Sequence, residues 1–226
     1  MASYDEDLKK LQNELIRKTL GGSAFVAPIA SDPINSFTEL VGTSPNQTVE
    51  LLDLPAGYDD LGYLTDDGAA FSTETTTSDV TSWQSTTPTR SDITAETSTL
   101  TVTAQETSLL TMGLYTGAAT EGIVPAAGTG EVVIKKPQRP SARFYRVFVL
   151  GIDGAPGEEI YVARFLPRAK ITGRGEQSYS KSDQALVWPV TFTGFYDSTF
   201  GSSESFLFGG PGWKPLLTKM GFTAIP

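Results

Sequence analysis

The chain of 226 residues contains no cysteine and no histidine. The first absence excludes disulfide frameworks, thiolate nucleophiles and thiolate zinc sites; the second excludes every mechanism that needs imidazole as base or metal ligand. Catalysis would have to rest on carboxylate pairs, Lys or Tyr, and no stretch gathers such groups, so no enzymatic activity, cofactor or metal is expected. No apolar run approaches a membrane span. The N-terminus Met1–Asp7 is acidic and lacks the apolar core of a signal peptide, so synthesis in the cytoplasm is expected. Positive charge is nearly missing from the middle of the chain: residues 23–134 hold fifteen acids and one base, Arg90.

What is present is turn-forming and hydroxyl-rich. Spread along the chain, 22 Gly and 14 Pro favour short strands over long helices, and the length suits one β-rich unit with a sizeable core. More than half of Ser72–Thr103 is Ser or Thr. Its last third alternates: Thr97, Thr99, Thr101 and Thr103 fall on one parity, while Glu96, Ser98, Leu100 and Val102 fall on the other, the period of a strand with one wet face. The acidic middle is followed by a basic part, with twelve bases against seven acids over 135–226. Such a split is compatible with ordinary charge clustering on a monomer, and equally with a surface that meets a different surface of an identical molecule, the head-to-tail geometry of rings and filaments.

Read in order, Leu8, Leu11, Leu15 and Ile16 predict an amphipathic helix over about residues 4–19, stopped by Gly21-Gly22. It serves either as a clamp on its own domain or as an arm on a neighbour. Short strands are predicted over 24–30, 48–52 and 58–65, the last ending in a turn at Asp66-Asp67-Gly68. Asp59, Asp60, Asp66 and Asp67 lack the alternate ligand spacing of a calcium loop and read as turn plus solvated carboxylates. Thr103–Glu106 matches a capping box for a helix that runs through Leu109, Leu110, Met112, Leu114 and Tyr115 to Gly117. Phe144–Ile152 is almost continuously apolar and predicts a central strand, Ile160–Thr172 its returning partner, and 186–196 a strand with one bulky face. The bases Arg164, Arg168, Lys170 and Arg174 crowd the returning strand and the loop after it.

Several segments together resemble the major tail protein, the tail tube subunit, of long-tailed bacteriophages of actinobacteria: Gly62–Gly68, Val80–Ser85, Pro88–Arg90, Thr99–Thr107, Leu110–Tyr115, Phe165–Ala169, Tyr196-Asp197 and Phe208–Trp213. Their order and spacing carry the resemblance over roughly residues 57–213. It implies a mainly β fold of two packed antiparallel sheets with one flanking helix. Six such subunits would close into a ring, with rings stacked into a hollow tube for genome passage. Partners implied are other copies of the chain, a tape measure protein, terminator and tail tip proteins, and double-stranded DNA in transit; the location is the virion tail, assembled in the host cytoplasm.

On this reading the chain divides into an N-terminal helical arm (1–22), one tail tube domain (23–213) and a C-terminal tail (214–226). The segment 66–92 is a long loop or hairpin that reaches the neighbouring ring, with Trp83 as anchor and Arg90 able to meet an acid across the contact; the alternative is a loop folded back on its own domain. Candidate contact residues are Asp66, Asp67, Asp79, Trp83, Arg90, Arg164, Arg168, Lys170 and Arg174. Thr97, Thr99, Thr101 and Thr103 are candidates for the bore wall, where inward Lys or Arg would bind phosphate and hydroxyls would not; they fit an outer or subunit-facing surface as well. A different class, a monomeric Ser/Thr-rich β-sandwich that binds glycans or surfaces, would need an aromatic platform, and Tyr58, Tyr63, Trp83 and Tyr179 are scattered along the chain.

Overall fold

The computed structural model describes residues 11–138, 142–181 and 185–223. Among these, in chain order, are β1 (Gly21–Pro28), β2 (Thr38–Val41), β3 (Thr48–Leu51), β4 (Asp59–Asp60), β5 (Leu64–Val80), β6 (Arg90–Ala104), α1 (Leu109–Thr116), β7 (Tyr145–Asp153), β8 (Ile160–Arg174), β9 (Trp188–Gly194) and β10 (Ser205–Gly209). The fold is mainly β, as expected. One antiparallel sheet runs β4-β1-β7-β8-β9-β6-β5 with β10 also on β8, and β2–β3 forms a small second sheet.

The large sheet curls. β1 and β5, far apart in the strand order, come into contact. One core cluster draws on β1 (Ala24, Val26), β6 (Leu100, Val102), β7 (Val147), β8 (Leu166, Ala169, Ile171) and β9 (Val190, Phe192) together with Leu114 of α1. The apolar run at β7 follows from this position. Its Val147 and Val149 face that core, while Phe148, Leu150 and Ile152 face a second cluster made with Ile34, Phe37, Tyr161, Ala163 and Phe165. A strand covered on both faces needs apolar side chains at every position. β6 keeps the expected alternation, with Ser98, Leu100, Val102 and Ala104 buried and Thr97, Thr99, Thr101 and Thr103 outward.

Three local expectations are corrected. Asp66-Asp67-Gly68 does not end a strand: β5 runs through it as an irregularity between the pairs Leu64↔Ala104 and Ala69↔Val102, with Gly68 at φ +62°. A bulge uses the same left-handed glycine as a turn, and the ladder resumes beyond it. The strand expected over 58–65 is also interrupted: Asp59-Asp60, both exposed, pair as β4 with Val26 and Phe25, and β5 begins only at Leu64. The helix starts later than the capping box at 103–106 suggests, because β6 holds residues up to Ala104; Ser108 is the N-cap, accepting from the Thr111 N–H at 3.2 Å, while the Ser108 N–H donates to Thr111 Oγ1 at 2.9 Å. Gly117 closes it in the left-handed conformation, as expected.

The N-terminal helix expected over 4–19 lies partly outside the described residues. Over residues 11–19 the only helical turn is a 3-10 turn at Asn13–Leu15. The chain then lies along the end of β7, with the Leu20 N–H donating to the Ile152 carbonyl at 2.8 Å and Arg17 3.6 Å from Asp153. Leu11, Ile16 and Leu20 stay exposed. An apolar stripe with no surface to cover does not stabilise a short helix in water.

Candidate assembly surfaces

β6 pairs with β9 only from Thr99 to Ala104, whereas β5 and β6 continue to pair as far as Val80↔Arg90. Beyond Ser98 the two strands form a ribbon without a third strand. Every residue from Ser72 to Val80 and from Arg90 to Glu96 is exposed. The segment expected to reach outward is therefore a hairpin, extending about 25 Å past the body. An isolated two-stranded ribbon is marginally stable in water, so this one gains most from a partner.

The hydroxyl-rich composition of the ribbon has a local use. At the tip the Thr89 N–H and Oγ1 both donate to the Val80 carbonyl (2.8 and 3.1 Å), Ser82 and Thr89 hydroxyls lie 2.9 Å apart, and Ser85 Oγ donates to the Thr87 carbonyl at 2.8 Å. Short hydroxyl side chains satisfy backbone groups that a nine-residue connection leaves open. On this fastened tip Trp83 is 99% exposed. Asp79 accepts from Ser91 Oγ across the ribbon, and Thr94 Oγ1 donates to the Thr76 carbonyl at 3.1 Å. Arg90 pairs with Asp92 on its own strand, Nε to Oδ2 2.6 Å. Asp66 and Asp67 stand exposed at the bulge near the ribbon's base.

The Thr parity of β6 continues across the sheet. Thr99 stands opposite Thr193 and Thr101 opposite Thr191 on β9, with the Thr101 and Thr191 hydroxyls 3.2 Å apart. Thr193 in turn stands opposite Lys170 on β8, and its hydroxyl lies 2.7 Å from that of Thr172. Three strands, β6, β9 and β8, thus share a hydroxyl-covered face with one lysine at its margin.

The four bases on β8 divide by environment. Arg164 lies over Phe71 (3.9 Å) and Phe206 (4.5 Å) and donates from Nε to Glu204 at 2.6 Å, joining β5, β8 and β10. Arg174 donates to the Leu114 carbonyl at 3.3 Å and so caps the C-terminal end of α1. Arg168 lies over the Phe144 ring at 4.3 Å. Lys170 makes no ion pair among the described residues. Arg164 and Arg174 are thus engaged within the subunit.

A buried pair escaped the sequence reading. Arg146 Nη1 lies 3.2 Å from Asp197 Oδ2 and also donates to the Pro167 carbonyl, while its Nε donates to the Ser31 carbonyl at 2.7 Å. Asp197 Oδ1 accepts the N–H groups of Thr199 (2.9 Å) and Phe200 (3.3 Å). Burial pushes the carboxyl up, but these two N–H groups and the guanidinium outweigh it and hold the group below its ordinary value. The available signal was one Arg inside an otherwise apolar strand, which needs a partner.

The aromatic residues weighed as a platform do not gather. Tyr58 donates inward to the Asp32 carbonyl at 3.0 Å, whereas Trp83 sits on the ribbon tip and Tyr179 in the connection from β8 to β9. Among the described residues no group of three or more Asp or Glu converges to hold a metal ion, and no helix is long and apolar enough to cross a membrane.

A curled antiparallel sheet with a naked ribbon, open strand edges and an ordered polar face defines a structural β subunit. The chain belongs to the phage tail tube protein family, whose model matches residues 11–203. It is thus a structural component of a phage tail, and its family implies self-assembly into a tube. No curated protein matches the chain.

Proposed function

We propose that the chain is the major tail protein of a long-tailed (siphovirus) phage of actinobacteria, six copies closing into a ring and rings stacking into the conduit for the genome. The observation that carries this reading is the β5–β6 ribbon, exposed on both faces from Ser72 to Glu96 apart from its tip hydroxyls. In the tube it bridges to the adjacent ring, with Trp83 as the buried anchor at the tip, Asp79 close to that tip, and Asp66 and Asp67 as contact residues at the ribbon's base. Arg90, paired with Asp92 on its own strand, is the base of this segment that meets an acid across the contact. Arg168 and Lys170 supply basic contacts between subunits, while Arg164 and Arg174 hold the subunit's own elements in place.

Thr97, Thr99, Thr101 and Thr103 form the bore wall. A hydroxyl surface among carboxylates releases no counterions on contact with phosphate, and at physiological salt the acids repel DNA over only about 8 Å, enough to keep it off the wall. The tube polymerises around a tape measure protein on a tail tip complex, is closed by a terminator, and acts passively, without catalysis. Assembly takes place in the host cytoplasm. Residues 1–22 act as an arm, 23–213 as the tube domain and 214–226 as a tail.

Negative-stain imaging of concentrated protein, with and without an initiating tail tip, tests the reading. Rings or hollow tubes with six-fold cross-sections are expected. Monomers alone under both conditions would overturn it.

A further inference from the structure

Between α1 and β7 the chain makes a long excursion, 117–144, whose described residues hold no strand or helix. Its base is pinched where Arg143 approaches Glu121 at 3.9 Å, and a turn is fastened by the Ala126 N–H on the Glu131 carbonyl at 2.9 Å. Directly after that turn comes Glu131-Val132-Val133-Ile134-Lys135-Lys136. Three successive β-branched aliphatics are a strand-forming sequence, yet Val133 is 62% exposed, and among the described residues Val132–Gln138 make no backbone hydrogen bond to any other segment. A run of this kind, with Val132 and Val133 exposed and Ile134 half-buried, outside any strand calls for a function.

The same subunit carries a second open ladder. β5 pairs only with β6, so its outer edge is unpaired along the whole ribbon. Long exposed edges are normally protected or paired. This edge carries Glu74 and Asp79, which differ in parity and therefore lie on opposite faces of the ribbon. Lys135 and Lys136, being adjacent, also project to opposite faces once extended.

We infer that Val132–Lys136 of one copy adds as a third strand to the open β5 edge of the next copy, alongside Glu74–Asp79, its two lysines meeting the two acids. The occupant is a second copy of this chain because the complement of the acidic edge, by charge and by strand propensity, lies in the chain itself, exposed and unpaired. Addition of a strand satisfies both ladders by main-chain hydrogen bonds and converts a marginal two-stranded ribbon into a three-stranded one. The inference rests on the tube reading and assigns the contact that holds it together.

The test is a charge exchange. Lys135→Glu with Lys136→Glu leaves a folded subunit with an unchanged thermal midpoint, since both side chains are exposed, and lowers tube yield by at least about tenfold through like-charge juxtaposition. Adding Glu74→Lys and Asp79→Lys to the same chain restores tubes. Undiminished tubes from the double variant, or a quadruple variant no better than the double, would overturn the strand addition while leaving the tube reading intact. Absence of tubes from the unsubstituted protein would instead remove the tube reading itself.

Discussion

The Arg146 guanidinium and the Asp197 carboxylate, 3.2 Å apart and both buried, join the start of the apolar strand β7 to the turn that precedes β10. Asp197 also orders that turn by accepting two of its N–H groups, and Phe200 within it packs edge-on to Phe165 at 5.4 Å. Removing the carboxylate leaves a buried guanidinium without its counter-charge, a loss of about 3–5 kcal/mol. Asp197→Ala is therefore expected to move the urea midpoint of the subunit sharply down. An unchanged midpoint would show that the pair contributes nothing to stability.

The same carboxyl sets an acid limit. Its folded-state value lies below the ordinary 3.8, so its contribution is fully present above the unfolded value and disappears as pH falls through the folded one. Unfolding free energy of the unsubstituted protein should fall more steeply than that of Asp197→Asn as pH drops below about 4. Parallel curves for the two proteins over that window would contradict the assignment.

The strands around this pair were legible because burial writes itself into sequence. β7 has apolar residues on both faces, and β6 alternates Leu100 and Val102 against Thr99 and Thr101. The partner of Arg146 is not legible, because the periodicity of an apolar strand gives no hint of which turn holds the counter-charge. The bulge at Asp66–Gly68 has the sequence of a turn because both use the same residues; only the ladder with β6 on either side distinguishes them. The ribbon beyond Ser98 was legible as polar and ordered, but not as free of a third strand. Its alternation carries no apolar parity, so nothing in the sequence states where pairing with β9 stops.

Trp83 provides the cleanest separation of folding from assembly. It is 99% exposed in its own subunit, so Trp83→Ala should leave the unfolding free energy within about 0.5 kcal/mol of the original. If it anchors the contact between rings, truncation costs about 2 kcal/mol or more per contact, and repetition along a stack multiplies the effect. Light scattering is expected to show a raised critical concentration for tube growth. Normal growth at the original concentration would remove Trp83 from the interface.

The Thr face can be interrogated by adding positive charge on β6, away from the single lysine at its margin. Thr97 and Thr101 point outward on β6 and Thr101 meets only the Thr191 hydroxyl at 3.2 Å, so lysine at both positions disturbs no core contact. Subunits carrying Thr97→Lys and Thr101→Lys should fold and still polymerise. Their tubes should then retain linear double-stranded DNA at low salt and release it as salt rises from about 50 to 200 mM, because each lysine-phosphate contact liberates a condensed counterion. Unsubstituted tubes should retain none under either condition, the acids of the middle segment outnumbering Arg90 fifteen to one. Retention confined to the outside, seen as DNA fully open to nuclease, would place the hydroxyl face on the outer surface; protection of the retained DNA would place it on the bore.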